Sequence, residues 1–246
     1  MKPYGEIEGK VLGKIDIDAL RRTPAYPFVE AAHYLNLPIA TLRAWCVGTT
    51  YFHANRKRKF QNVIDLDGEP SEGLSFLNLV EAHVLAAIRR RHRISLPKVR
   101  EALLYVLYEL KVERPLAHAR FQTDGVDLLV EQLGTLVNVS QAGQLEMASV
   151  LNAYLKRIRR DPEGIPIKLF PFTRLNAVED APMPVVMNPR VAFGRPVLVE
   201  RGVPTAVLAD RFKAGDSLAD LSKDYDAPTE AIEEAIRCEL DRRKAA

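Results

Sequence analysis

Residues 30–45 read EAAHYLNLPIATLRAW, and this stretch decides the fold of the first part of the chain. Two short helices joined by a tight turn need a small residue where they cross, and Ala32 supplies it. The turn needs a residue tolerant of the left-handed backbone conformation, and Asn36 is the best choice after glycine. Leu35, Leu37, Leu42 and Trp45 would then close a shared apolar core. Pro38 suits the first position of a second helix over 38–46, with Leu37 as a poor N-cap before it. The spacing predicts a helix-turn-helix within residues 28–47.

The charge pattern around this stretch gives it a direction. The formal net charge is only +3, but it is unevenly spread. Residues 39–64 hold five basic side chains (Arg43, Arg56, Lys57, Arg58, Lys59) and no acid. Residues 86–100 hold six (Arg89, Arg90, Arg91, Arg93, Lys98, Arg100) and again no acid. The last 65 residues balance ten basic groups against eleven acidic ones. A basic front part joined to a near-neutral back part implies one polyanion-facing end and one end with a different task. Residues 49–66, TTYFHANRKRKFQNVIDL, place Tyr51, Phe52, Phe60, Val63 and Ile64 around a basic tip, the pattern of a β-hairpin.

The front segment resembles the MerR-type winged helix-turn-helix, whose motif runs E-V-A-x-x-x-G-V-S-x-x-T-L-R-x-[YW]. Glu30, Ala32, Thr41, Leu42, Arg43 and Trp45 match it without a gap, whereas Asn36 and Pro38 depart from it. The resemblance continues through the basic wing, LSFLNLVE at 74–81 and ISLPKVREAL at 94–103, and covers roughly residues 28–110. It implies double-stranded DNA as a partner. The second helix enters the major groove, with Ile39, Ala40, Thr41 and Arg43 near base edges or phosphates. The wing tip Arg56, Lys57, Arg58 and Lys59 straddles the phosphate backbone, so affinity falls steeply with salt. The cluster at residues 89–93 either contacts DNA or complements the dipole at a helix C-terminus.

Between front and back the chain reads as follows. Residues 1–26 form an arm or packed lead-in, and 65–73 a turn-rich connection. Residues 74–91 are an amphipathic helix. Ser95 caps, and Pro97 opens, a helix continuing over 99–110. Thr123-Asp-Gly125 signals a second hairpin, with strands near 119–122 and 126–131. Residues 144–159 are helical. Residues 161–189 contain six prolines and read as a linker with short extended pieces such as 167–172.

From Asn188 the sequence changes character. Gly194 and Gly202 flank a short strand at 197–199, and Pro204 opens a helix over 205–213 that stops at Gly215. Ser217 with Asp220 makes a capping-box-like start for the next helix. Pro228 begins the last one, with Glu230 in its first turn. The segment is similar to the small domain-of-unknown-function family to which VapB-type antitoxins are assigned, with the pattern N-P-x-V-x-F-G-x-P, G-[IV]-P-T, A-G-x-S-x-x-x-L-x-x-D-Y and I-x-x-A-[IL]. Nineteen positions carry the match, among them Asn188, Pro189, Phe193, Gly194, Pro204, Gly215, Ser217, Asp224 and Tyr225. Ala227 stands where that family often has a capping serine. The resemblance implies a toxin–antitoxin role: repression of a shared operon and neutralisation of a PIN-like ribonuclease toxin. The last two helices also have a helix-turn-helix cadence, but Glu230, Glu233 and Glu234 at the groove-facing end would repel phosphates within a Debye length of about 8 Å. A packing or partner-binding role is expected there.

Composition sets the outer limits. Nearly half of the 246 residues are apolar, enough for a packed core. No apolar run approaches the ~20 residues that span a bilayer, and the first residues lack the apolar region of a signal peptide. The two cysteines, Cys46 and Cys238, fit a reducing compartment, so a cytoplasmic protein without membrane contact is expected. No H-E-x-x-H, C-x-x-C or phosphate-cradling glycine motif occurs. His33, Cys46 and His53 lie near one another in sequence, but His33 reads as a surface helix residue. Asp16/Asp18 and Asp65/Asp67 read as solvated turns. No catalytic residue, metal or cofactor is expected.

The predicted fold is mainly α with small β-hairpins. It comprises a MerR-like winged helix-turn-helix over 1–112, a hairpin-plus-helix middle region and linker over 113–181, and a small helical domain over 182–246. A homodimer is expected, because two-fold DNA sites mirror protein symmetry. Its candidate interfaces are the apolar surfaces of 126–155 and of the last domain. Two functions remain open: an antitoxin that binds operator DNA and a toxin, or a MerR-like regulator whose last domain only dimerises or senses a ligand.

Overall fold

The computed structural model describes residues 16–53, 56–92, 94–174 and 181–240. It is mainly helical with small antiparallel hairpins. In chain order the elements are α1 (Ile17–Arg22), α2 (Phe28–Tyr34), α3 (Ile39–Cys46), β1 (Thr49–His53), β2 (Arg56–Phe60), α4 (Phe76–His92) and α5 (Leu96–Leu110). There follow α6 (Val126–Val137), α7 (Gln141–Leu155), β3 (Ile158–Arg160), β4 (Pro166–Leu169), β5 (Val185–Val186) and β6 (Val197–Leu198). The last three helices are α8 (Thr205–Ala214), α9 (Leu218–Asp224) and α10 (Thr229–Glu239). No helix among the described residues is long and apolar enough to cross a membrane.

One continuous apolar core runs from Tyr26 to Met187 and takes in α2 to α7; a second, smaller one joins Val185 and Leu198 to α8, α9 and α10. Helix α4 is the axis of the first. Its sequence reads as amphipathic, yet Phe76 to Ala87 are buried on every side, with α7 on one flank and α1 on another. A helix enclosed on every side belongs inside a core, and the polar Asn78, Glu81 and His83 on it are each hydrogen-bonded there.

The expected hairpin over 119–131 does not form. Phe121–Gly125 makes a turn of π-helix that runs directly into α6. Val126, Leu129, Val130 and Leu133 recur at helical spacing and are buried, so packing against α5 and α7 overrides the local Thr-Asp-Gly turn signal. The helix expected over 144–159 starts earlier, capped by Ser140, whose Oγ accepts from the Gly143 N–H at 3.3 Å, and ends at Leu155. Ile158–Arg160 then pairs with Pro166–Leu169, so part of the supposed linker is a paired strand. The bridge between Leu169 and Met187 carries that hairpin onto the chain leading to β5.

Arg157 organises this region. Its guanidinium is buried and donates to the carbonyls of Phe170 (2.7 Å), Ala181 (2.9 Å), Pro171 (2.9 Å) and Pro182 (2.8 Å). It also lies 4.1 Å from the ring centroid of Phe172. Two chain segments whose prolines lack N–H donors are gathered on one cation. Burial pulls the guanidinium down to about 10, which leaves it charged at neutral pH.

A second polar group fixes the segment after β2. Asp67 is not solvated: its side chain is 7% exposed and accepts from Arg114 at 2.7 Å and from the Ser75 hydroxyl. Arg114 also donates to Glu81 at 2.9 Å, and Asn78 bridges Glu81 to the Asp65 carbonyl. Asp16 accepts from the N–H groups of Asp18 and Ala19 as the N-cap of α1. Residues 1–15, and with them most of the expected arm, lie outside the described residues.

Replacing Arg157 with Met should take the shared donor from the carbonyls of Phe170, Pro171, Ala181 and Pro182, two of these hydrogen bonds being buried, and lower unfolding free energy by about 3 kcal/mol. Lys should recover little, because one ammonium cannot span the four acceptors. Chemical denaturation checks both. Burial, opposed in part by Arg114, raises the Glu81 carboxyl from 4.5 to about 7. A carboxyl harder to ionise in the fold than in the unfolded chain favours folding below about pH 4.5, and this contribution fades as pH rises through about 7. The difference amounts to roughly 3 kcal/mol. Glu81→Gln should therefore flatten the fall in stability between pH 5 and 8, read from denaturation midpoints; an unchanged slope would assign it to other groups.

Candidate nucleic-acid interface

The turn between α2 and α3 forms as its residues dictate. Asn36 sits at φ 54°, in the left-handed region. The Asn36 N–H reaches the His33 carbonyl (3.1 Å) and the Leu37 N–H reaches that of Ala32 (2.9 Å), which reverses the chain. Ala31, Ala32, Leu35, Leu42 and Trp45 are buried, and Leu37 is half-buried against the same core. The start of α3 is one residue later than expected. Pro38 is the N-cap, at φ −61° and ψ 135°, and its carbonyl takes the N–H groups of Thr41 and Leu42. Proline's fixed φ fits the cap's extended conformation, and Leu37 remains free to pack.

This rotation decides which face of α3 is available. Ala40, Arg43 and Val47 are exposed and follow one another at helical spacing, whereas Ile39 packs against the core and Thr41 is half-buried. Of the four expected contacts on α3, Ala40 and Arg43 stand outward and Ile39 turns inward. The Arg43 guanidinium lies 4.7 Å from the ring centroid of Phe28, so the end of this long side chain is braced by α2.

Arg56, Lys57, Arg58 and Lys59 do not make up a loop but run back from the hairpin's connection. They form strand β2, paired antiparallel with β1 from Thr49↔Phe60 to His53↔Arg56. The connecting Ala54 and Asn55 lie outside the described residues. The base of the hairpin is tied to α3, because the N–H groups of Val63 (2.7 Å) and Ile64 (3.0 Å) both donate to the Trp45 carbonyl at that helix's end. Wing and α3 are thus held at one point. Arg89 is used locally, donating to the Ile94 carbonyl where α4 gives way to α5.

The outer side of α2 is occupied by the last part of the chain. His33 is no free surface residue: its Nε2 lies 2.8 Å from the Cys238 carbonyl, and since a carbonyl only accepts, Nε2 carries the proton. The Tyr26 hydroxyl donates to the Gly194 carbonyl at 3.0 Å, Glu30 pairs with Arg195, and the Asn36 amide donates to the Phe172 carbonyl at 3.3 Å. Tyr34 packs against both cores. These contacts were invisible in the sequence, because nothing local pairs Glu30 with Arg195 or His33 with a carbonyl some two hundred residues later. Cys46, grouped in sequence with His33 and His53, is buried, and burial pushes its thiol up to about 12.

Helices α9 and α10 repeat the architecture of α2 and α3. Asp226 takes the left-handed position at φ 47°, the Ala227 N–H reaches the Ser222 carbonyl (3.1 Å), and Pro228 is the N-cap of α10. Here the second helix is internal. Ile232, Glu234, Ala235, Ile236 and Cys238 are buried, and α10 packs on α8 and on β5 and β6. Glu234 does not face outward as expected. It accepts from Thr173 and from Arg174 Nε at 2.6 Å. Burial pushes its carboxyl up, but these hydrogen bonds prevail and hold it below the usual carboxylate range.

Comparison with known proteins agrees with this geometry. Residues 24–103 match a family model described as "Putative DNA-binding HTH domain", and residues 185–237 match "Protein of unknown function (DUF433)". Among curated proteins, "Putative antitoxin VapB45" of Mycobacterium tuberculosis is 27% identical over 230 residues, spanning 87% of this chain and 92% of that one. An uncharacterized protein of the same organism, Rv2308, is 23% identical over 220 residues, spanning 86% of this chain and 88% of its own. The crystal structure of Rv2018 from M. tuberculosis superposes with a TM-score of 0.62 at 21% identity, covering 87% of this chain and 97% of that one, a likeness of fold. Over most of its length the chain is therefore similar to a protein named as an antitoxin, and its front part carries a helix-turn-helix of the kind described as DNA-binding.

Proposed function

We propose that the chain is the antitoxin of a type II toxin–antitoxin pair. In this reading residues 1–112 bind operator DNA in a MerR-like manner, 113–181 join the two ends, and 182–246 neutralise a PIN-like ribonuclease toxin. The observation that carries it is the similarity to "Putative antitoxin VapB45" along 87% of the chain. The exposed face of α3, tied at its end to a strand holding four consecutive basic residues, supports the DNA half.

The chemistry of DNA binding follows from that placement. Ala40 leaves room for close approach to a base edge or thymine methyl, and Arg43 supplies the donor fork that reads guanine or grips phosphate. Arg56, Lys57, Arg58 and Lys59 neutralise phosphates beside the groove and release counterions. A homodimer brings two such heads to a two-fold site. Leu129, Val130, Leu133, Met147, Val150 and Leu151 are used inside the core, so residues 126–155 offer less of an interface than expected. Helix α5 exposes Leu104 (56%) and Tyr108 (74%), with Leu107 beside them, and is the better dimer surface.

Replacing Arg56, Lys57, Arg58 and Lys59 together by alanine should weaken binding to the chain's own promoter roughly 100-fold and reduce the slope of log K against log salt by about 3 to 4. Fluorescence anisotropy titrations at several salt concentrations measure both. Unchanged affinity and slope would remove the wing from the interface. Co-expression with the product of the adjacent open reading frame tests the other half. Restored growth and a co-purifying complex are expected, and failure to form a complex would leave only a DNA-binding regulator.

A further inference from the structure

We propose that the turn at residues 188–195 is the anchor by which the chain holds its toxin, with Phe193 entering an apolar recess rimmed by carboxylates on that partner; this rests on the antitoxin reading above. Phe193 is 91% exposed, the most exposed large apolar residue described. It sits at φ 53° and ψ 33°, between Ala192 at φ 47° and Gly194 at φ 80°. Two non-glycine residues in succession thus occupy a conformation that L-residues avoid. Glycine would relieve the strain at Phe193, and a polar residue would relieve the exposure. Strain held together with an aromatic ring in water points to a use for the ring.

The surrounding contacts hold the turn and keep the ring outside. The Val191 N–H donates to the Asn188 carbonyl at 2.9 Å, and the Arg190 N–H to Asn188 Oδ1 at 3.0 Å. The Gly194 N–H reaches the Val191 carbonyl (2.9 Å), and the Arg195 N–H that of Ala192 (3.0 Å). Tyr26 then pins the Gly194 carbonyl from the other core, and a Cβ on Gly194 would collide with the Tyr26 hydroxyl. The turn is therefore preorganised, which lowers the entropy cost of docking.

Charge selects the partner's chemistry. Residues 181–199 contain two arginines and no acid. Arg195 is already paired with Glu30. Arg190 is exposed and has no carboxylate within ion-pair distance among the described residues. An aromatic ring flanked by an unneutralised guanidinium is the composition of a protein-binding hot spot, and it fits a recess with acidic walls.

The test uses the full chain and the product of the adjacent open reading frame. Phe193→Gly should fold with an unfolding midpoint equal to or above that of the parent, yet weaken the complex at least about 30-fold by calorimetry. Phe193→Leu should lose less, and Arg190→Glu should slow association several-fold at low salt. Promoter affinity and sedimentation behaviour should not change. If Phe193→Gly binds the toxin as the parent does, or instead loses promoter affinity or changes its oligomeric state, the anchor assignment is overturned while the antitoxin reading stands. If the parent forms no complex with that product, the antitoxin reading fails and the anchor with it.

Discussion

The architecture depends on one buried cation. Arg157 draws the carbonyls at 170–171 and 181–182 onto a single guanidinium and seats it against Phe172. A proline-rich chain cannot satisfy itself by forming regular ladders, since each proline removes a donor. An external donor must meet the orphaned carbonyls, and a charged planar fork with five N–H groups does so at one point. The two ends of the chain between 171 and 181 are thereby held at one point, close to where Asn36 donates to Phe172 and Glu234 accepts from Thr173 and Arg174.

What was legible in the sequence was mainly local. A left-handed Asn36 before a proline, a serine three residues before an aspartate at 217–220, and Gly215 after a helix each announce their own backbone geometry. Hydrophobic spacing placed α4, while capping residues, prolines and a glycine stop placed α5 and the last three helices. The failure at 119–131 came from weighting a Thr-Asp-Gly signal above Val126, Leu129, Val130 and Leu133, whose spacing is helical and whose burial decides the matter. The one-residue error at Pro38 has the opposite cause: proline is compatible with both cap and first turn, and the pull of Leu37 into the core settles the choice.

The candidate interface was legible in kind and less so in detail. The basic run and Arg43 were identifiable from charge alone. The placement of that run in a strand, and the inward turn of Ile39, depend on how α3 rotates when Leu42 and Trp45 are buried together. The burial of Asp67 and Glu234 was not legible at all. Each depends on an arginine distant in sequence, Arg114 in one case and Arg174 in the other. A lone carboxylate carries no mark of whether a remote guanidinium will find it.

The contacts along the outer side of α2 have a kinematic consequence. Tyr26 just before the helix, and Glu30 and His33 within it, meet Gly194, Arg195 and Cys238 in turn. A body held at one point pivots freely, and one held at two still turns about the line between them. Attachments strung along one line do not stop rotation about it, but they do oppose tilting of that line. Helix α2, and α3 through the short turn that joins them, are therefore held against tilting relative to residues 194–238. To tilt the α3 head against them, a hydroxyl, a carboxylate and an imidazole must let go together.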